Sequence, residues 1–302
     1  MTAAAGDSNR SQVIRVSIII PTFNDQAGVD VCLGAIANQN FSQGLIEVIV
    51  VDNGSEPPLV ITGKYPFAIR LVLCTRPGSY AARNAGVSAA TGSILAFIDA
   101  DCWPDPEWLV VGVRSLMAGN GHSIIGGEVS FSAPEKTTAV ALYQIATGFG
   151  QEENVRDKGF AATANLLCMR EQFEAIGPFD DRLLSGGDRE WCWRAAKRGL
   201  PVRFEPNAKI FTEPRSSLRS AIRQARRVVA GRDMLRTLGL AHLGPAAVAK
   251  QRTTLQAVAW ILTNHKLGWV DRLRVLVVAT VIRGVAVLEG FRLAMGGMAE
   301  RR

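Results

Sequence analysis

Short apolar runs alternate with amphipathic segments from residue 16 onward, a pattern typical of an open sheet flanked by helices. The predicted strands cover 16–20, 45–51, 68–73, 93–98, 122–131, 161–169, 201–205 and 208–212. The predicted helices cover 79–90, 104–117, 170–176, 188–198, 216–238, 247–263 and 272–295. The pattern therefore predicts the α/β class, with a Rossmann-like, mostly parallel sheet and a helical C-terminal extension.

Polar residues directly follow three of the predicted strands. Thr22 and Asn24 follow the first strand, Asp52 the second, and Asp99 and Asp101 the fourth. Ligands of open α/β sheets bind at the carboxyl ends of strands, so these side chains are expected to share one rim. Two carboxylates one residue apart can chelate a hard divalent cation, although loop aspartates also cap helices.

A glycine-containing loop lies between the second and third polar clusters. Residues 76–86 read RPGSYAARNAG and lead into the helix predicted at 79–90. The free N–H groups of a helix N-terminus favour an anion, and Arg83 lies one turn into this helix. The same residues also suit an ordinary loop and packing helix, and the G-x-x-x-x-G-K-[ST] pattern of a Walker loop is absent.

Composition and charge narrow the class of protein. The chain has 302 residues, 48% of them hydrophobic, which excludes disorder as its main state. Five scattered cysteines and a polar start predict a cytoplasmic protein without a disulfide framework or signal peptide, whose first 13 residues are flexible. Residues 1–212 carry a net charge of −4 and residues 213–302 one of +11, so the C-terminal part is expected to meet an anionic partner.

Four segments in this order resemble the nucleotide-binding half of the family 2 glycosyltransferases, which have the GT-A fold. They are VSIIIPTFN at 16–24, VVDNGS at 50–55, ARNAG at 82–86 and LAFIDAD at 95–101. The resemblance extends to about residue 230. It implies a catalytic domain over 14–214, followed by a basic and apolar helical extension over 215–302.

The resemblance also implies a function and a site. The expected activity is inverting, metal-dependent transfer of a hexosyl group from a nucleotide-diphosphate sugar, most commonly a UDP-sugar, to a hydroxyl of a glycan or lipid-linked acceptor. Asp188 would be the catalytic base, and Asp101 would hold Mg²⁺ or Mn²⁺. The implied nucleotide-binding residues are Pro21, Thr22, Asp52, Arg83 and Asp99, and the implied acceptor or sugar residues are Asn165, Gly187, Glu190 and Trp191.

The sequence departs from the family pattern at two places. Gly187 precedes Asp188 where relatives carry a second carboxylate, which Glu190 could replace. Many relatives place a metal-binding histidine after the late strand, but residues 210–214 read IFTEP, with Thr212 and Glu213 as possible oxygen donors. Trp191 could stack on a sugar, although a tryptophan on an amphipathic helix is more often part of the core.

Other functions stay open at this point. A nucleotidyltransferase or sugar-nucleotide pyrophosphorylase can share the sheet and acidic site, and an inactive, membrane-associated relative would fit the two departures. Nucleic acid is not an expected partner, because the basic part lacks interleaved aromatic residues. Arginines recur along the helix predicted at 216–238; they form a solvated face, a diphosphate clamp, or a surface for anionic lipid on the inner face of the cell membrane.

Overall fold

A computed structural model describes residues 14–118, 121–133, 137–245, 254–264 and 267–299. Its strands are β1 (Val16–Thr22), β2 (Ile46–Asp52), β3 (Ala68–Leu73), β4 (Ile94–Ile98), β5 (Cys102–Pro104), β6 (Ile124–Phe131), β7 (Asn165–Met169) and β8 (Val202–Thr212). Its α-helices are α1 (Gln26–Ala37), α2 (Ser79–Ala89), α3 (Trp108–Ala118), α4 (Ala139–Thr147), α5 (Gln151–Lys158), α6 (Arg170–Ile176), α7 (Gly187–Lys197), α8 (Leu218–Thr237), α9 (Thr254–Thr263) and α10 (Trp269–Ala294). The segment 1–13, expected to be flexible, and residues 247–253 of a predicted helix lie outside the described residues.

The strands form one mixed sheet in the order β3-β2-β1-β4-β7-β6-β8-β5. β3, β2, β1 and β4 run parallel. β7 runs antiparallel to β4 and to β6, whereas β8 is parallel to β6 and antiparallel to β5. The predicted α/β class is therefore confirmed, with the purely parallel part confined to four neighbouring strands.

Helices cover both faces of the parallel half of the sheet. Ile18 and Ile20 belong to the apolar layer that includes α1, and Ile19 belongs to the opposite layer with α2. Strands buried on both faces read as continuous apolar runs, which explains why β1 and β2 are recognisable from sequence. All five cysteines are buried and have free thiols.

The helix predicted from Pro104 begins four residues later, at Trp108. The residues before it form the short edge strand β5, in which Cys102 pairs with Thr212 and Pro104 with Ile210. Proline is accepted at a sheet edge because its missing N–H is not needed there. The early proline, interpreted as a helix start, therefore marks an edge strand.

The structure differs in further details from the predicted elements. The strands predicted at 201–205 and 208–212 are one strand, β8, with an irregularity opposite Gly127 and Glu128 of β6. Residues 161–164, predicted as strand, precede β7. The helices α1, α4 and α5 were not predicted.

The C-terminal helices form a separate layer. α8 and α10 pack on each other, and α10 also packs on α4. Val140, Ala221 and Val278 form the small apolar cluster between these helices. Among the helices that the structure describes, none combines the length and apolar character needed to cross a membrane.

Candidate active site

The ends of β1 and β2 form the first wall of the site. Thr22 and Asp52 are register partners at these ends, and the amide of Asn53 donates to the Thr22 carbonyl at 2.8 Å. The Asp52 carboxylate accepts hydrogen bonds from the amides of Ser55 at 2.8 Å and Leu59 at 3.1 Å. Burial alone would raise the pKa of Asp52, but hydrogen bonds from the Ser55 side chain and from the amides of Leu59, Ser55 and Gly54 outweigh it and lower that pKa.

Two groups at this wall remain available for a ligand. Pro21, next to Thr22, is partly exposed at the end of β1. The Thr22 hydroxyl is buried and has no hydrogen-bond partner within the described part of the chain. A buried polar atom without a partner is costly, so this hydroxyl suits a ligand that supplies the missing hydrogen bond.

The loop before α2 is fixed by Asn53. The Asn53 side chain donates to the carbonyls of Cys74 at 3.0 Å and Arg76 at 2.7 Å, and it accepts from the Gly78 amide at 2.7 Å. Gly78 has a φ of +122°, a conformation that favours glycine. Asn53, the residue directly after β2, thereby fixes the position at which α2 begins.

Arg83, on the second turn of α2, forms an ion pair with Asp99. The Arg83 side chain is 5% exposed and that of Asp99 is 37% exposed, so the guanidinium is buried and the carboxylate partly faces solvent. The Arg83 Nε is buried without a partner among the described residues. The pair joins α2 to the third polar cluster of the sequence.

Asp99 and Asp101 share the turn between β4 and β5. The amide of Cys102 donates to the Asp99 carbonyl at 3.1 Å, and the Thr212 hydroxyl donates to the Asp101 carbonyl at 3.1 Å. Asp101 keeps access to solvent, yet the surrounding protein removes much of its hydration. This desolvation, followed by repulsion from Asp99, raises the pKa of Asp101.

The acidic turn fits a hard divalent cation. Carboxylate oxygens are the ligands that Mg²⁺ and Mn²⁺ prefer, and a cation would offset the repulsion that Asp101 experiences. The described residues contain no cluster of three or more histidine, cysteine, aspartate or glutamate side chains able to hold a metal ion. The Thr212 hydroxyl supports the backbone of Asp101 through its hydrogen bond to that residue's carbonyl.

Arg215 is a site residue that the sequence reasoning missed. It follows β8 by three residues, and its charge acts on Asp101, Arg227 and Asp99. Burial, the largest influence, lowers the pKa of the Arg215 guanidinium, while Asp101 acts in the opposite direction. The pairing of Cys102 with Thr212 brings Arg215 to the acidic turn, and that pairing was hidden by the helix predicted from Pro104.

Asp188 lies at the start of α7 and faces α2. The Tyr80 hydroxyl donates to Asp188 Oδ1 at 3.3 Å. Burial and then the Asp188 charge raise the pKa of Tyr80, so its hydroxyl stays protonated and donates. Tyr80 and Arg83 are neighbours on one face of α2, with the guanidinium 5.5 Å from the ring centroid. Asp188 and Asp99 are thus held by successive turns of the same helix.

Gly187 is the place where the family's additional carboxylate is missing. A Cβ atom at position 187 would lie 2.7 Å from the ring of Tyr80, closer than real Cβ contacts allow. Gly186 precedes it with a φ of +83°, which allows the chain to enter α7. Tyr80 therefore occupies the space that a side chain at position 187 would need.

The structure places the other three predicted acceptor residues inside the protein. Glu190 is buried and forms an ion pair with Arg194, with a shortest distance of 2.6 Å. Trp191 is fully buried in the aromatic core beside Phe173. Asn165 is also fully buried, and its amide donates to two backbone carbonyls at 2.9 and 2.8 Å. Burial therefore keeps these three side chains from direct contact with a ligand.

The mixed sheet of eight strands, flanked by helices and followed by C-terminal helices, has the GT-A type of architecture. The family described as Glycosyl transferase family 2 matches residues 17–176, and the chain belongs to that family. The family and fold predicted from the sequence motifs are thereby confirmed.

Known relatives agree with this assignment. The glycosyltransferase AglE of Haloferax volcanii is 38% identical over 194 residues, covering 63% of this chain and 64% of the relative. The pre-mycofactocin glycosyltransferase of Mycobacterium tuberculosis is 28% identical over 313 residues, covering 96% of this chain and 60% of the relative. The chain thus spans less than two thirds of the length of either relative.

A solved structure shares the fold. The mannosyltransferase PcManGT of Pyrobaculum calidifontis, solved with GDP-Man and Mn²⁺, superposes with a TM-score of 0.56. The alignment covers 93% of this chain and 85% of that protein at 20% sequence identity. At this identity the likeness shows a common architecture.

Proposed function

We propose that this enzyme transfers a sugar, with inversion and with the help of a divalent cation, from a nucleotide-diphosphate sugar to a hydroxyl of a glycan or lipid-linked acceptor. One observation carries the proposal. Through Tyr80 and Arg83, successive turns of α2 contact Asp188 and Asp99, which supports placing the acidic turn and the separate carboxylate at one site. Transfer needs those two groups on opposite sides of the sugar.

The donor nucleotide would bind at the ends of β1 and β2. Asp52 is ionised and held by backbone amides, and the unpartnered Thr22 hydroxyl beside Pro21 offers a further polar contact. Arg83 and Asp99 would face the ribose and the first phosphate. We propose a UDP-sugar as donor; because PcManGT was solved with GDP-Man, GDP-sugars form the second series to test.

Asp101 would hold Mg²⁺ or Mn²⁺, with Asp99 next to it and the remaining ligands coming from the donor and water. The cation would supply positive charge to the departing diphosphate. Arg215 adds a permanent cation on the same side, with Arg227 of α8 nearby. Together they stabilise the negative charge that builds up as the sugar leaves.

Asp188 would remove the proton from the acceptor hydroxyl. The hydroxyl oxygen bonds to C1 of the sugar while the C1–oxygen bond to the diphosphate breaks, and that bond's electron pair leaves with the diphosphate. The proton passes to the carboxylate, and attack from the face opposite the leaving group inverts C1. Tyr80 would orient the carboxylate with its hydrogen bond, in place of a second acid at position 187.

The charge of the C-terminal helices supports a place for the enzyme and its acceptor at the membrane. Their net positive charge would bring the enzyme to the anionic inner face of the cell membrane, where a lipid-linked acceptor is within reach. Buried Asn165, Glu190 and Trp191 would shape the acceptor side from behind the cleft, without touching the acceptor.

A ligand screen followed by product analysis tests the proposal. UDP- and GDP-sugars are tested for an increase in melting temperature with and without Mn²⁺, since a ligand that binds only the native state stabilises it. The proposal expects a Mn²⁺-dependent increase and release of free nucleoside diphosphate on turnover. Release of pyrophosphate would identify a nucleotidyltransferase, and absence of any donor binding would identify an inactive relative.

A further inference from the structure

A stripe of mostly apolar residues runs along the solvent side of α10. Six of its members are apolar and more than half exposed, in two groups with a spacing of three or four residues within each: Val270, Leu273 and Val277, then Leu288, Phe291 and Met295. Thr280 and Gly284 continue the same exposed line through the middle of the helix. At 1.5 Å per residue, the stripe is about 37 Å long.

The opposite face of α10 is also largely apolar and is already in use. Val275, Val278 and Leu293 are buried there, where α10 packs on α8 and α4. A helix that is apolar on two faces is normally covered on both. The described elements cover only one of them, and an exposed apolar patch of this size marks an interaction site.

Positive side chains border the stripe on both edges. With a rotation of about 100° per residue, Arg274 lies on one edge and Arg283 on the other, and both are exposed. Trp269, 70% exposed, stands at the beginning of the helix. Long arginine side chains beside an apolar stripe can keep their charges at an aqueous boundary while the stripe is buried.

We infer that this stripe inserts into the surface of an anionic lipid bilayer, with α10 lying in the plane of the interface. An amphipathic surface helix needs an apolar face and basic side chains toward the lipid headgroups, which is the arrangement of Val277, Phe291, Arg274 and Arg283. A second copy of the chain is a poorer occupant, because residues 213–302 carry a net charge of +11 and two such surfaces would repel. Anionic lipid supplies the missing opposite charge.

Vesicle flotation tests the inference on the full chain. Phosphatidylcholine vesicles are compared with vesicles that also contain phosphatidylglycerol. The wild type should float with the anionic vesicles and lose binding as salt is raised. The variant L288E/F291E should lose binding by about tenfold or more, and R274Q/R283Q should lose it selectively on anionic vesicles.

The matched control adds the same two charges elsewhere. Val31 of α1 and Val60, in the segment between β2 and β3, are exposed apolar residues, so V31E/V60E should float like the wild type. Equal binding of L288E/F291E and the wild type, or no binding of the wild type to anionic vesicles, would overturn the inference. A wild-type dimer that L288E/F291E dissociates in sedimentation, without lipid binding, would instead assign the stripe to self-association.

The inference deepens the membrane part of the proposed function but not its chemistry. Donor binding, measured as the Mn²⁺-dependent increase in melting temperature, should be the same in the wild type, L288E/F291E and V31E/V60E. If the wild type binds the donor but does not float with vesicles, only the lipid-binding inference is refuted. If the wild type floats with vesicles but does not bind the donor, only the proposed transfer activity is refuted.

Discussion

The Tyr80 hydroxyl donates a hydrogen bond to the Asp188 carboxylate while the Tyr80 ring covers Gly187. One side chain therefore orients the candidate base and excludes a carboxylate from the neighbouring position. The departure from the family pattern at Gly187 has a local cause, because the space is occupied by a group that contacts Asp188 itself.

Replacing Tyr80 by phenylalanine removes the hydrogen bond and keeps the ring. We expect kcat to fall about tenfold while the KM for the donor stays unchanged, since an interaction with the base acts in the transition state. Steady-state kinetics with varied donor measure both values. The matched control is Y65F, which removes a hydroxyl from a ring stacked on Phe67 elsewhere in the chain; equal kinetics in Y80F and Y65F would contradict the role of Tyr80.

The ionised carboxylate of Asp101 lowers the stability of the metal-free protein, although the proposed reaction needs it. Its raised pKa means that the folded state binds a proton more tightly than the unfolded chain, so stability is lost as pH rises from the unfolded value through the folded one. At neutral pH without metal, D101N should therefore raise the melting temperature and abolish transfer. Thermal melts with EDTA and with Mn²⁺ measure this; a lower melting temperature of D101N in EDTA would refute it.

For Asp52 the dependence of folding stability on pH has the opposite sign. Its pKa is lowered in the folded state, so its ionised form contributes stability that is present above the unfolded value of about 3.9 and disappears as pH falls through the folded value. D52N should be less stable than the wild type at pH 7, and the difference should shrink in acid. Urea unfolding at several pH values shows this, with D30N at an exposed aspartate as the control; a pH-independent difference would contradict the linkage.

Arg215 should act on the diphosphate. Losing a charge-assisted contact of about 1.5–3 kcal/mol in R215Q should raise the donor KM roughly tenfold or more. R219Q removes an exposed arginine from α8 and serves as the control. Initial rates at increasing donor concentration give the KM of R215Q and of R219Q. Equal KM values in both variants would place Arg215 outside the donor site.

The sequence predicted the parallel half of the fold and its acidic rim well, because β1, β2 and β4 are continuous buried runs that end in polar residues. It did not predict Arg215, since that residue reaches Asp101 only through the antiparallel pairing of β5 with β8. Tyr80 was visible in the motif before Arg83, but its contact with Asp188 joins residues 108 positions apart. No local pattern reports such a contact.

The central claim is that Asp188 accepts the acceptor's proton across the cleft from a cation-bound diphosphate. The most direct measurement compares D188N with the wild type for sugar transfer and, on the same samples, for the Mn²⁺-dependent increase in melting temperature with donor. The account predicts that D188N binds the donor as the wild type does and loses transfer by at least about a thousandfold. Transfer by D188N at the wild-type rate, with equal donor binding, would contradict it.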